Sequence, residues 1–236
     1  MKRVSLIICV FLITLVVNAQ ENGEKFNLSV DVASGFVWRG IPISTTPVIQ
    51  PSITFAQRFF SIGAWASTSF DILEHQEFDI FVELDVAPSS TLGLISYYGY
   101  SPFGNYFDFK KETTGHAFDL YFRYNGSNGL KATLSTIVGG NDLRLKNGQL
   151  KQNFSTYFEL GYGNTTMSGI DWEIFAGLVP MKSDFYAIDG AAFINLGLGV
   201  SKNFEITPTY TLPLSLKLSF NPAYDAAFLT ATISLF

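Results

Sequence analysis

The feature that most constrains this chain is a repeating unit of about ten residues in which apolar and polar side chains alternate. The clearest example runs from Phe26 to Trp38, where the even positions are apolar except Ser34 and the odd positions are polar or small except Val37. A period of two places these sets on opposite faces of a β-strand. A strand of this length exceeds most strands of soluble proteins but suits a tilted strand that crosses a bilayer. The pattern predicts a transmembrane β-barrel.

The same alternation divides the chain into about twelve strands, so the predicted fold is all-β, an antiparallel up-and-down barrel. The predicted strands are residues 26–38, 48–56, 60–70, 77–87, 91–101, 116–124, 130–138, 152–162, 171–179, 192–200, 204–218 and 227–236. Ten strands is the alternative, because Pro208 and Pro213 each remove a ladder donor from the eleventh strand.

The connections between these strands are alternately short and long. Short turns are predicted at residues 57–59, 88–90, 125–129, 163–169 and 201–203. Such an alternation is typical of outer-membrane barrels, in which short turns face the periplasm and longer loops face the outside. It predicts an even strand number and places both the N-terminus and the C-terminus of the barrel domain in the periplasm.

The N-terminal residues predict export. Lys2 and Arg3 precede an apolar run from Leu6 to Val17, and a cleavage site follows near Ala19. This run is shorter than the roughly 20 residues of a membrane-spanning helix. We therefore expect residues 1–20 to be a signal peptide and residues 21–236 to form a barrel in the cell outer membrane of a Gram-negative bacterium.

The composition agrees with a lipid-facing protein. Charged residues are 15% of the chain and aromatic residues 16%, whereas about 25% of an ordinary soluble domain is charged. Without Lys2 and Arg3, 13 basic residues remain against 20 acidic ones. An acidic chain with no basic cluster argues against a nucleic-acid partner.

The charged residues on the strands predict the lining of the lumen. On the fourth strand Phe78, Ile80, Val82 and Leu84 alternate with acidic residues, and a charge that faces hydrocarbon costs a few kcal/mol. The acidic face must therefore point inward. The predicted pore-lining residues are Asp31, Arg39, Asp79, Glu83, Asp85, Asp119, Arg123, Lys131, Glu159, Asp171 and Glu173, and Lys217 is placed inside with them.

Two readings of this lining stay open. In a water-filled lumen the excess of acids would favour cations, whereas in a filled lumen the same groups would form a plugging network of ion pairs. Twelve strands lie between the small, filled barrels and the large, open ones, so size does not decide. Arg39 is either a constriction charge that meets the acidic strand or a rim residue that closes the first loop by a salt bridge, and the second reading is preferred.

Several short motifs resemble the TorF family of putative porins. They are Ser34-Gly35-Phe36-Val37-Trp38-Arg39-Gly40, Pro47-Val48-Ile49-Gln50-Pro51, Gly63-Ala64-Trp65-Ala66-Ser67, the acidic strand from Asp79 to Asp85, and Tyr97-Tyr98-Gly99-Tyr100. The resemblance covers most of residues 21–236 and is strongest up to about residue 125. It implies an outer-membrane barrel with porin activity and no catalytic residues.

The predicted function is passive diffusion of small hydrophilic solutes or ions, with a mild cation preference. The alternative is a non-conducting structural or adhesive barrel that acts through its outer loops. No enzyme is expected, because neither His75 nor His116 has a serine two residues away on a strand. No cofactor or metal is expected either. The predicted partners are outer-membrane lipid and the barrel-assembly machinery, which reads a terminal aromatic residue such as Phe236.

Overall fold

The computed structural model describes residues 24–71, 74–99 and 105–235. The predicted signal peptide and Phe236 lie outside the described residues. The described part forms sixteen strands, which are β1 (Glu24–Ala33), β2 (Phe36–Trp38), β3 (Ile41–Ser44), β4 (Val48–Gln57), β5 (Phe60–Ser69), β6 (Gln76–Ala87), β7 (Ser90–Tyr98), β8 (His116–Asn125), β9 (Leu130–Gly140), β10 (Leu143–Lys146), β11 (Gln149–Gln152), β12 (Thr156–Thr165), β13 (Ile170–Val179), β14 (Ala192–Thr207), β15 (Tyr210–Asn221) and β16 (Ala226–Ser234). None of the described residues forms a helix long and apolar enough to cross a membrane.

Twelve of the strands form one closed antiparallel barrel. Neighbours along the chain pair with each other around the wall, and β1 closes the barrel by pairing with β16 as well as β4. The remaining four strands form two separate hairpins, β2–β3 and β10–β11. The prediction of a twelve-strand antiparallel barrel is confirmed.

The outer face of the wall is a belt of apolar side chains. The belt residues named below are between 38% and 54% exposed. They include Phe78, Ile80, Leu92, Leu94, Leu120, Phe122, Leu134, Leu160, Ile174, Leu198 and Leu216. The opposite faces of the same strands carry the charged residues, with Asp79 and Asp119 buried. A closed wall that is apolar outside and polar inside satisfies every ladder hydrogen bond in lipid, which is the condition for crossing a bilayer with strands.

The short connections lie at one end of the barrel, and four of the five predicted turns contain the observed ones. The fifth prediction is wrong. Residues 201–203 are strand, β14 runs on to Thr207, and the turn is Pro208-Thr209. Proline suits a turn because its φ is fixed and its missing N–H needs no ladder partner. Pro213 is accommodated within β15, opposite Asn203.

Two other predicted boundaries are wrong for a common reason. The first barrel strand ends at Ala33, since the chain leaves the wall after Ser34, and residues 36–38 belong to the β2–β3 hairpin. The eighth predicted strand begins at Thr156, because residues 149–152 belong to the β10–β11 hairpin. In both places the alternation continues beyond the wall into a separate hairpin.

Candidate functional site

The β2–β3 hairpin folds into the lumen near the end that carries the long loops. Trp38 stacks on Tyr186 with ring centroids 5.7 Å apart and meets Tyr97 edge to face at 5.3 Å. At the start of the hairpin Phe36 packs against Trp65, whose centroid is 5.4 Å away. These partners come from β5, β7 and the loop after β13, so the hairpin contacts several sides of the barrel.

Gly40 lets the hairpin approach the wall. It has a φ of 76°, and a Cβ at this position would lie 1.8 Å from the backbone oxygen of Ile194 in β14. The Asn221 side chain donates a hydrogen bond of 3.0 Å to the Gly40 carbonyl from β15. Because only glycine fits both the backbone conformation and the gap, this residue fixes the depth of the hairpin.

Arg39 occupies the interior of the barrel at the tip of this hairpin. Its guanidinium donates to Asp119 Oδ2 over 2.8 Å and to the hydroxyl of Tyr186. It also lies 4.4 Å from the centroid of Trp38 and 4.8 Å from that of Tyr157. The preferred prediction of a rim residue is therefore wrong, because the hairpin carries Arg39 inward. The other prediction, a constriction charge that meets the acidic strand, is correct in placing Arg39 inside the lumen, but its partner is Asp119 of β8 and not an acid of the acidic strand β6.

A hydrogen-bonded cluster lies beside Arg39 and contacts it through the ring of Tyr157. Asn195 donates to Glu159 over 2.7 Å and to the Tyr157 hydroxyl over 3.1 Å, and Tyr157 in turn donates to Glu159. On the other side, the Tyr97 hydroxyl donates to Asp119 over 3.2 Å. The hairpin and these side chains together form a layer, which we call the constriction layer.

The lumen residues near the short turns are arranged differently. Glu83 accepts hydrogen bonds from Arg123 over 2.7 Å and from the Tyr121 hydroxyl over 2.6 Å. Lys131 and Glu173 form a second pair at 2.7 Å. A cavity of about 230 Å³ opens beside this second pair. Its polar lining comprises Lys131, Asp171, Glu173, Ser201, Ser215 and Lys217.

Solvent exposure separates the two regions of the lumen. The side chains of Arg39 and Asp119 are 12% and 0% exposed, whereas those of Lys131 and Glu173 are 48% and 35% exposed. The lumen is therefore wet near the short turns and dry at the constriction layer.

The other predicted lumen acids have their own partners. Asp79 accepts from the backbone N–H of Tyr98 over 3.0 Å, and Asp31 accepts from Ser234 over 2.6 Å. Asp85 and Asp171 each accept from a threonine of a neighbouring strand. The structure thus joins six of the predicted residues in three ion pairs, Arg39–Asp119, Glu83–Arg123 and Lys131–Glu173. Asp31, Asp79, Asp85, Glu159 and Asp171 are not members of these pairs, although Glu159 belongs to the constriction layer and Asp171 lines the cavity beside Lys131 and Glu173.

Outside the barrel wall, Glu74 accepts hydrogen bonds from the end of β3 and from the connection between β3 and β4. Its carboxylate accepts from the Thr45 N–H over 2.9 Å, from the Thr45 hydroxyl over 3.0 Å and from the hydroxyls of Ser44 and Thr46. These bonds, above all the one from Thr46, lower the pKa of Glu74 to about 2.

This pKa predicts a pH dependence for the contact. A carboxylate with a depressed pKa stabilises the folded state above its unfolded pKa of about 4.5, and the contribution is lost as the pH falls through about 2. In a carboxyl carbon NMR titration of the folded barrel we expect Glu74 to titrate near pH 2, with the Thr45 amide signal moving in step. Glu74→Gln should abolish the movement at Thr45. A Glu74 midpoint near 4.5 would contradict these hydrogen bonds.

Sequence reasoning missed one polar pair altogether. Ser96 of β7 and His116 of β8 lie 2.7 Å apart on the outer wall, and they are not in the lumen. A serine two residues from a histidine on one strand is visible in the sequence, whereas this pair joins two strands. Only the register of β7 with β8, which pairs Ser96 with Phe118, brings the two side chains together.

Comparisons with known proteins find only distant likeness. No family model matches it, and no curated protein is similar to it. One solved structure, from a study of the mechanism behind in-meso crystallization of membrane proteins, has a TM-score of 0.46 and 8% identity over 89% of this chain and 82% of that one. Wzi, an outer membrane protein involved in group 1 capsule assembly in Escherichia coli and a carbohydrate-binding β-barrel, has a TM-score of 0.34 and 11% identity over 89% of this chain and 56% of its own. At these TM-scores and identities, neither protein supports the assignment of a ligand or a role to this chain.

Proposed function

We propose that this chain is a porin-like barrel of a Gram-negative outer membrane, for passive diffusion of small hydrophilic solutes. The observation that carries the proposal is the wet, charged vestibule near the short turns, with its cavity of about 230 Å³ beside Lys131 and Glu173. The resemblance to the TorF family supports the same function. The signal peptide, the assembly machinery and the lipid partner predicted from the sequence belong to this proposal.

The constriction layer limits what passes. Trp38, Arg39, Tyr157 and Tyr186 lie close together at the level where the lumen is dry. Conduction therefore requires the β2–β3 hairpin to shift. The hairpin makes no barrel ladder of its own, since it is a two-stranded sheet separate from the wall.

The charge balance predicts the ion preference. Eight acids and four bases are assigned to the lumen from the sequence, so the excess of acids belongs to the lumen as a whole. The cavity itself has two acids, Asp171 and Glu173, and two bases, Lys131 and Lys217, in its lining. An acidic lining favours cations over anions. The ion pairs Glu83–Arg123 and Lys131–Glu173 neutralise part of this excess, so the preference is mild.

Single-channel recording of refolded residues 21–236 in planar bilayers tests the proposal. Under a KCl gradient we expect discrete steps with a cation-selective reversal potential. The double variant Glu83→Gln, Glu173→Gln should move the reversal potential towards zero or the anion side. Asp189→Asn removes one acid at a loop position with a 98% exposed side chain and serves as the control that leaves selectivity unchanged.

A second candidate function is a non-conducting barrel that acts through its outer loops. The dry Arg39–Asp119 pair, enclosed by Trp38 and Tyr157, favours it. Absence of current steps from protein shown to be folded by heat-modifiable migration would support this second candidate and contradict the first.

A further inference from the structure

A serine, a histidine and a backbone carbonyl form a chain of hydrogen bonds on the outer wall, near the end of the barrel that carries the long loops. Ser96 Oγ lies 2.7 Å from His116 Nδ1, and His116 Nε2 lies 2.7 Å from the carbonyl oxygen of Tyr106. Ser96 belongs to the outward set of β7, where the register pairs it with Ile80 and Phe118. The proposed passage of solutes through the lumen makes no use of these groups.

The hydrogen-bond partners determine which ring nitrogen carries the proton. A carbonyl oxygen can only accept, so Nε2 must be protonated and donate to Tyr106. In the neutral imidazole Nδ1 is then the acceptor, and the Ser96 hydroxyl donates to it. A hydroxyl bonded to a basic nitrogen whose ring is held by a third group is the arrangement that activates a serine nucleophile.

The imidazole is held firmly in this orientation. Phe109 stacks on it with centroids 4.8 Å apart and an interplanar angle of 22°, and Tyr98 and Tyr106 lie at 4.7 and 4.9 Å. His116 is 1% exposed, whereas Ser96 is half-buried. The base is therefore enclosed while the nucleophile remains open towards the outer surface.

The surroundings indicate the class of substrate. A cavity of about 500 Å³ opens on the same outer surface. Its lining comprises four aromatic residues, Phe78, Tyr98, Tyr106 and Phe107, and three polar ones, Gln76, Glu77 and Asn105. Tyr98 lies two residues from Ser96 on the same face of β7. A cavity with four aromatic residues in its lining, on the surface that faces lipid, fits the acyl chain of an ester.

We propose that Ser96 and His116 form a hydrolytic site for acyl esters of membrane lipids. Ser96 Oγ forms a bond to the ester carbonyl carbon while its proton moves to His116 Nδ1. The bond from this carbon to the alkoxy oxygen then breaks, and the leaving oxygen takes the proton from Nδ1. Water next attacks the acyl-serine, giving its proton to Nδ1, and the fatty acid leaves as Ser96 recovers its hydrogen. One ester and one water thus give one acid and one alcohol.

Labelling of the full folded barrel with a fluorophosphonate tests this site. We expect the unmodified protein in detergent micelles to take up one probe, located on Ser96 by peptide mass spectrometry, and to release fatty acid from phospholipid vesicles. His116→Gln should slow both reactions by about 10²-fold or more, since a general base contributes roughly that much. Ser96→Ala should abolish the labelling.

The matched control is His75→Gln, which changes the other histidine of the chain, in the connection between β5 and β6, and should leave labelling unchanged. Failure of folded, unmodified protein to be labelled at Ser96 would overturn the proposal, and so would equal labelling rates with and without His116. The first of these outcomes is read on the unmodified chain, so it stands even where a variant fails to fold. It is also independent of the current recordings that test solute passage.

Discussion

Replacing Asp119 by alanine is expected to lower the free energy of unfolding by about 3–5 kcal/mol. The substitution leaves the Arg39 guanidinium inside a dry part of the lumen without its carboxylate, since the two side chains are 12% and 0% exposed. The size of this loss in the free energy of unfolding comes from the cost of an unpaired buried charge and not from the net strength of the pair. Urea unfolding of the barrel in lipid vesicles, followed by tryptophan emission, measures the difference.

Glu173→Ala is the matched control, because it also removes one acid from an inward-facing ion pair. Lys131 and Glu173 are 48% and 35% exposed, so water replaces the lost partner and the expected cost is about 0–1 kcal/mol. The double variant Arg39→Leu, Asp119→Ala should recover part of the stability, because no charge is then left unpaired. Equal costs for Asp119→Ala and Glu173→Ala would show that water reaches Arg39.

The sequence predicts the wall of this barrel well because the information is local. Alternation along a single strand such as β6 decides which side chains face lipid, and each turn is encoded by a few neighbouring residues. The inward placement of Glu83 and Asp119 follows from the same rule. None of these features depends on which residues far apart in the sequence contact each other.

The constriction layer depends on distant contacts, so the sequence predicts neither the β2–β3 hairpin nor the partner of Arg39. Residues 36–38 alternate as the preceding strand does, so the sequence favours a continuous strand. What draws the chain inward is the pair between Arg39 and Asp119, 80 residues apart, and the approach of Gly40 to Ile194. The Ser96–His116 pair was missed for a related reason, since strand register and not sequence spacing brings its two members together.

Replacing Gly40 by alanine is expected to displace the β2–β3 hairpin from the lumen. The new Cβ would lie 1.8 Å from the backbone oxygen of Ile194, which belongs to the wall and cannot yield as a side chain would. The φ of 76° adds about 1–2 kcal/mol of strain for a residue other than glycine. Because a displaced hairpin also withdraws Arg39 from Asp119, the total loss of stability should be on the order of 3–5 kcal/mol.

Gly148→Ala is the control that separates the clash with the barrel wall from the strain of a positive φ. Gly148 has a φ of 75°, nearly that of Gly40, but no atom lies within 4 Å of its added Cβ, so only the strain of about 1–2 kcal/mol applies.

In a background with Trp65→Phe and Trp172→Phe, Trp38 is the one remaining tryptophan. Gly40→Ala should shift its emission to the red and increase quenching by acrylamide, whereas Gly148→Ala should do neither. The same displacement should raise the conductance in planar bilayers if the hairpin is the constriction. Matching emission and stability for the two variants would mean that Gly40 does not fix the depth of the hairpin.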